Sequence, residues 1–268
     1  MASSKLKLAI SGAAGRMGHR LIDLGAHDDT FEVVAAIEAP DHPQIGVDSG
    51  SAAGIGEIGV AFSNDYPDDV NVVIDFSHPA GADAAVAHCL EHEIPLVMAT
   101  TGLEANTIEK IKEAAHQIPI VWAPSMSLAV NLTMKLVETA GLALKDHSTG
   151  VDVEILERHH RYKADSPSGT ALKFGEIVAT AMGQTNHQHG REGMIGERPR
   201  NEIGYHAIRT GDNPGQHTIV FGMLGETIEL NVAASNRDCY AAGALAAAKF
   251  VAGQGAGLYN MYDVLGLA

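Results

Sequence analysis

The sequence predicts an α/β protein: a doubly wound parallel sheet, then an α+β block with an open, mixed sheet. Three observations carry this reading. Short continuous apolar runs alternate with helical patterns up to residue 123, the mark of parallel strands buried on both faces. A glycine-rich turn joins the first such run to the first helix, as in a Rossmann-like unit. After Trp122 the strand-like runs alternate apolar with polar residues, the pattern of half-buried strands.

Taken in order, "LKLAI" (6–10) is a buried strand and residues 15–27 a helix. "FEVVAAIE" (31–38) is the second strand. "NVVIDF" (71–76) is the third and leads into an alanine-rich helix over 79–91. "PLVMAT" (95–100) precedes a helix over 104–116, and "PIVWA" (119–123) is the fifth strand. Right-handed crossovers between parallel strands then place helices on both faces of the sheet. A long helix is expected over 128–145, and "VDVEILE" (151–157) reads as a half-buried strand. A helix follows Ser168 as far as residue 182. Residues 185–200, "TNHQHGREGMIGERPR", are polar and glycine-rich and are expected to form a mobile loop. "GYHAIRT" (204–210), "HTIVFG" (217–222) and "ETIELNVAA" (226–234) are strands, the last two joined as a hairpin at Leu224-Gly225. An alanine-rich helix over 240–251 returns to the first domain. The expected domains are therefore 1–127 with 238–268, and 128–237.

Composition narrows the function classes. The formal net charge is −15, which argues against nucleic acid as a partner, since phosphate binding needs a basic face. The dense basic run at 158–163 is a local exception. No apolar run approaches the roughly 18 residues of a membrane span. Cys89 and Cys239 stand far apart in apolar helical settings, so two free thiols in a reducing compartment are expected. "MASSKLKLAI" has no signal-peptide core, and a cytoplasmic protein is the expectation.

"SGAAGRMG" (11–18) spaces its glycines as GxxGxxG between a strand and a helix. Gly12 permits the tight turn, Gly15 lets backbone approach a pyrophosphate, and Gly18 lets the helix lie close to the sheet. The amides at the helix start then face the phosphates, which makes Gly12, Ala13, Ala14, Gly15, Arg16 and Met17 the cofactor loop. Glu38 ends the second strand and is placed to bind ribose hydroxyls. With Ala39 beside it, a 2′-phosphate would meet a carboxylate, so NADH is expected to serve at least as well as NADPH, with Arg16 and His78 the groups that could still reach that phosphate. Ala99, Thr100 and Thr101, and Ala123, Pro124, Ser125 and Met126, lie at the carboxyl ends of the fourth and fifth strands. That edge is where such sheets bind ligands, and these residues are expected against the nicotinamide half.

"ERHHRYKADSPSGTA" (157–171) places two histidines, two arginines and a lysine directly before a helix start. Successive side chains of a strand alternate, so His159, His160, Arg161 and Lys163 cannot share one face, and the chain must leave β structure here. Pro167 keeps Ser166 extended. Ser168 suits an N-cap, with Gly169 and Thr170 in the first turn. An anion is favoured at such a start, between helix amides and cations, with His159 and Lys163 as candidate proton carriers. The plainer reading is a solvated basic turn in which Asp165 pairs one cation. No catalytic metal is expected: adjacent histidines rarely chelate one ion, and His187 and His189 lack carboxylates at ligand spacing.

These segments resemble the dihydrodipicolinate reductase family over essentially the whole chain. "GAAGRMG" looks like its nucleotide loop and "ERHHRYKADSPSGTA" its signature, and "REGMIGERP", "IGYHAIRTGDNPGQHTI" and "GLYNMYDVLGL" fit its later segments. The resemblance implies a cofactor domain made of the N-terminal sheet and the C-terminal helices. It also implies a middle domain for substrate and for tetramerisation through its open sheet. It implies hydride transfer from NADH or NADPH to C4 of a cyclic dicarboxylic imine with loss of the 4-hydroxyl as water, in lysine and diaminopimelate biosynthesis. Lys163 would be the proton donor and His159 its acid/base partner. His160, Ser168, Gly169, Thr170 and Arg237 would contact the dicarboxylate.

The chain departs from the family pattern at four positions. Ala99 stands where glycine precedes the two threonines, Ser125 where asparagine precedes Met126, Ala129 where glycine precedes Val130-Asn131, and Val232 where a histidine is usual. The first three bear on the cofactor edge or hinge, and the last removes one possible partner of His159. Two alternatives stand beside the reductase: another nicotinamide-dependent dehydrogenase of imino acids, which needs only one carboxylate anchor, and a nucleotide-binding homologue without catalysis.

Overall fold

The computed structural model describes residues 4–267. Its contacts divide into two compact units. One ends at Leu128 and resumes at Arg237, and the other is Ala129–Asn236.

In the first unit the chain runs β1 (Leu6–Ser11), α1 (Arg16–Ala26), β2 (Phe31–Ile37), α2 (Ser49–Ala53), β3 (Phe62–Ser63), β4 (Val72–Asp75), α3 (Pro79–Glu91), β5 (Leu96–Met98), α4 (Ala105–Ala114) and β6 (Pro119–Trp122). α5 (Leu128–Leu144) opens the second unit, followed by β7 (Asp152–His159), α6 (Gly169–Met182), β8 (Asn186–His189), β9 (Glu202–Arg209), β10 (Gln216–Met223) and β11 (Glu226–Ala233). α7 (Asp238–Val251), β12 (Gly257–Tyr259) and α8 (Met261–Val264) complete the first unit.

The first sheet is parallel, with order β12-β6-β5-β4-β1-β2-β3. Its strands are apolar on both faces because a core lies on each. Leu8, Ile10 and Val72 pack with α1 and α7, while Ala9, Val73 and Leu96 pack with α3 and α4. α7 owes its position to small residues: a Cβ at Gly243 would lie 1.7 Å from the Met126 carbonyl oxygen. The chain reverses direction across the sheet at β1, between β4 and β2, and there the carboxyl-end loops part to leave a crevice.

The second sheet is mixed, with order β11-β10-β7-β9-β8. β10 runs antiparallel to β11 and to β7, while β7, β9 and β8 are mutually parallel. The expected hairpin is present, with Leu224-Gly225 as its two-residue loop and Gly225 at φ 93°. One face is buried beneath α6 through Val153, Ile155, Ile219 and Phe221. α6 packs in turn on α5, where Gly141 meets Ala181.

The loop expected over 185–200 is a correction. Residues 186–189 form β8, and the glycine-rich stretch beyond is tied to the sheet by two arginines. Arg191 pairs with Glu154 and Glu202, and Arg198 with Asp152 and Glu154. An edge strand with no buried face has no apolar alternation to betray it. The short β12 was likewise outside the sequence reading.

Candidate active site

At the first crevice the glycines do what their spacing requires. Gly12 has φ 75°, and a Cβ there would lie 2.6 Å from the Phe76 carbonyl oxygen. At Gly18 a Cβ would sit 2.3 Å from the Ala13 carbonyl oxygen, so α1 can approach the loop only through glycine. Gly15 is the N-cap of α1 and offers no side-chain bond to its first amides, which leaves that helix start to an outside anion. The carboxylate of Glu38 accepts the Ala14 amide at 2.8 Å, so the end of β2 is locked to the loop. Both border a cavity of about 610 Å³, walled also by His42, Tyr66 and His78. Arg16 is exposed and Met17 half-buried in the first turn of α1, while Ala13 is buried.

The next two carboxyl-end loops border a second cavity of about 500 Å³, lined by Thr100, Thr101, Trp122 and Pro124. Ala99 and Ala123 are buried strand ends, bonded to the Asp75 and Met98 carbonyls respectively, and Met126 is buried beneath α7. Ser125 lies in the same loop as Pro124. Asp75, absent from the sequence reading, ends β4 without any exposed surface and accepts the Ser77 and Thr100 hydroxyls at 2.7 and 2.5 Å. Burial raises its pKa against these bonds. It thus joins the loops that border the two cavities. A dinucleotide fits this edge: a loop whose glycines keep side chains away, an uncapped helix start and a fixed carboxylate.

The second unit assembles a different chemistry. β7 brings Glu157 and His159 onto the same face as Val153 and Ile155, by simple alternation. Arg209 of β9 clamps Glu157 at two points, 2.7 Å each. Nδ1 of His159 lies 2.6 Å from Glu157, and the Ser168 amide donates to the same carboxylate at 3.1 Å. Ser168 caps α6 as expected: its hydroxyl accepts the Ala171 amide and also meets Nε2 of His217 at 3.0 Å. The Gly169 and Thr170 amides have no partner among the described residues, and a Cβ at Gly169 would meet nothing within 4 Å. His160 begins the turn after β7, with its Nδ1 buried and unpaired. Lys163 follows, its Nζ 2.8 Å from Asp165, the ion pair that the plainer reading assigned to the turn.

Burial would raise the pKa of Glu157, but Arg209, with His159 assisting, holds it below the usual carboxylate range. Burial pushes His159 down against the pull of the Glu157 carboxylate, and the Lys163 and Arg209 charges add to the lowering. Burial takes His217 down to about 4. The cluster therefore holds two neutral imidazoles among cations at neutral pH. Glu157, Arg209 and His217 were missed by the sequence reading. The signal for Glu157 was present, since continuing the alternation Val151, Val153, Ile155 puts Glu157 inside. Arg237 belongs to the first unit, as the N-cap of α7. Val232 is buried opposite His217, the place where the family pattern has a histidine. Among the described residues no group of three or more His, Cys, Asp or Glu side chains is placed to hold a metal ion, and no helix is long and apolar enough to cross a membrane.

A parallel sheet with a glycine-loop crevice, and a separate unit with an imidazole–ammonium cluster at a helix start, define the class of nicotinamide-dependent oxidoreductases. The chain belongs to the dihydrodipicolinate reductase family. Residues 6–126 match the family's N-terminal model and residues 129–265 its C-terminal model. The chain is 59% identical to a 4-hydroxy-tetrahydrodipicolinate reductase of Rhodopirellula baltica, over 98% of this chain and 97% of that one. It is 45% identical to one from Alkalilimnicola ehrlichii, over 97% and 99%. In fold it matches a dipicolinate-bound dihydrodipicolinate reductase from Paenisporosarcina sp. TG-14, with TM-score 0.78, 22% identity and coverage of 97% and 99%.

Proposed function

We propose that this chain reduces 4-hydroxy-tetrahydrodipicolinate to tetrahydrodipicolinate with loss of water, in lysine and diaminopimelate biosynthesis. The observation that carries the reading is the second unit's cluster, in which Lys163, neutral His159 and the free Gly169 and Thr170 amides surround one helix start. A ring with two carboxylates needs amide-rich and cationic anchors. The α6 amides and the Ser168 cap supply one, with His160 beside it, and Arg237 is assigned to the other carboxylate. A nicotinamide cofactor held at the glycine loop of residues 12–17 and at Glu38 would supply hydride to C4 of the ring. Lys163 gives up a proton to neutralise the electron density that hydride addition builds, exchanging Asp165 for the substrate as it does so.

NADH is the favoured cofactor. The Glu38 carboxylate is fixed against the loop by the Ala14 amide and would repel a 2′-phosphate while accepting ribose hydroxyls. The basic side chains among the described residues of the cavity wall are His42 and His78, with Arg16 exposed in the first turn of α1. The sheet face opposite α6, where Leu156 and Val220 are half-buried and Ile208 is exposed, supports assembly through this sheet into a homotetramer.

The test is cofactor oxidation on adding aspartate semialdehyde and pyruvate with the synthase that condenses them. Turnover with NADH at a kcat/KM at least equal to that with NADPH is expected. A strong NADPH preference removes the role given to Glu38. Cofactor binding without turnover on this or any other imino acid removes the reductase reading.

A further inference from the structure

Glu157 is 2% exposed, yet it is a charged group in a strand interior. Each of its oxygens receives two donors. Oε1 takes Arg209 Nη2 at 2.7 Å and the Ser168 amide at 3.1 Å. Oε2 takes Arg209 Nη1 at 2.7 Å and His159 Nδ1 at 2.6 Å. An ionised carboxylate has about four acceptor sites, so this one is saturated. It can only accept, so His159 must donate from Nδ1. Burial opposes a second proton on the ring, and the Glu157 charge that would favour it is shared with other donors. Arg209 of β9 has already engaged the Glu157 charge, Lys163 of the following turn adds a positive one, and His217 of β10 packs edge-on at 5.2 Å as a neutral ring tied to Ser168. Asp165, whose carboxylate would favour that proton, is paired with Lys163.

The other nitrogen is kept clear. Gly215 approaches Nε2 with φ 151°, and a Cβ there would stand 3.0 Å from that atom. No hydrogen bond to Nε2 is made among the described residues.

We infer that Glu157 is a positioning residue: clamped by Arg209, it fixes His159 with its proton on Nδ1 and with Nε2 bare, and through the Ser168 amide it ties that tautomer to the start of α6. The geometry stands without the reductase reading, and the consequence rests on it. His159 enters turnover as an acceptor, and Lys163 is the group with a proton to give.

The experiment uses the full chain with ¹⁵N-labelled histidine side chains and long-range proton–nitrogen correlation, with His159 assigned by its loss in His159→Gln. At pH 7 the wild-type spectrum should show a protonated Nδ1 and a bare Nε2 for His159. The reverse tautomer overturns the inference. Arg209→Gln leaves Glu157 with an uncompensated charge and should raise the His159 titration midpoint by about one pH unit or more, the effect of an opposite charge within contact range. An unmoved midpoint also overturns it. Glu157→Met with Arg209→Met removes the pair without stranding a charge, and buried pairs often tolerate such replacement. It should lower kcat by about 10- to 100-fold, in the range for lost second-layer support, with NADH affinity unchanged and Nδ1 no longer uniformly protonated. Retention of the wild-type tautomer there counts against the inference. A wild type that shows the expected tautomer but no turnover in the coupled assay sinks the proposed function and leaves this inference standing.

Discussion

Proton supply at a single side chain limits the proposed chemistry. Lys163, in the turn after β7, is partly sheltered, and its ion-pair partner among the described residues is the largely exposed Asp165. Replacing it with alanine should cut kcat by ~10²–10⁴-fold, the range for a lost proton donor, while NADH affinity, set in the other unit, stays the same. Stopped-flow turnover with fluorescence titration of NADH checks both. An unchanged kcat removes Lys163 from the mechanism. His217 makes a second prediction at this scale. Its folded pKa, about 4, lies below the ordinary 6.5, so the unfolded chain takes up this proton first as pH falls. The stability it contributes is whole above pH 6.5 and is lost on descending towards 4. The loss totals roughly 3 kcal/mol, because each tenfold difference in proton affinity between the two states is worth about 1.4 kcal/mol. Urea midpoints at pH 7 and 4.5 should diverge for the wild type and much less for His217→Gln, and equal divergence in both would exclude His217 as the source. The turn that carries Lys163 was legible in the sequence because alternating side chains of a basic run cannot share one face, although Arg158 and His159 still belong to β7. Glu157, Arg209 and His217 meet only through the register of three strands, which no local pattern encodes.

At the scale of elements, the turn between β1 and α1 separates folding from binding. Gly12 and Gly18 are fixed by backbone crowding, so replacing either disturbs the fold itself. Gly15 is different. It has φ −72°, and a Cβ would find only the Gly12 carbonyl oxygen, at 3.1 Å. Gly15→Ala should therefore leave unfolding free energy within about 1 kcal/mol of wild type, consistent with mild crowding. It should weaken NADH about tenfold or more, roughly 1.4 kcal/mol, because the methyl occupies the cradle. Isothermal titration beside chemical denaturation separates the two effects, and undiminished affinity would place the pyrophosphate elsewhere. The same scale shows why some elements were readable and others not. β1, β2 and β4 are apolar runs because each is covered on both faces. β8 has the sequence "NHQH" and is a strand only because β9 supplies its hydrogen bonds. The arginines that follow β8 look like solvated polar residues until Glu154 and Glu202 are placed beside them.

For the whole molecule, a chain of formal charge −15 must admit an anionic cofactor and a doubly anionic ring. Long-range field opposes both, so the proposed sites rest on local donors: the uncapped start of α1 in one unit, and the start of α6 with Lys163 in the other. This division predicts two separate footprints in amide hydrogen exchange. NADH alone should slow the amides over 14–18 and at the end of β2. Pyridine-2,6-dicarboxylate alone should slow Gly169 and Thr170, whose amides have no partner among the described residues. At 100 times its dissociation constant a ligand stabilises its site by about 2.7 kcal/mol, which permits up to ~100-fold slowing. Protection of Gly169 by NADH alone, at a level equal to that given by the dicarboxylate, would show that α6 is not the substrate's own anchor. Protection by the dicarboxylate confined to residues 14–18 would move the ring to the nucleotide loop and leave the Lys163 cluster without a ligand.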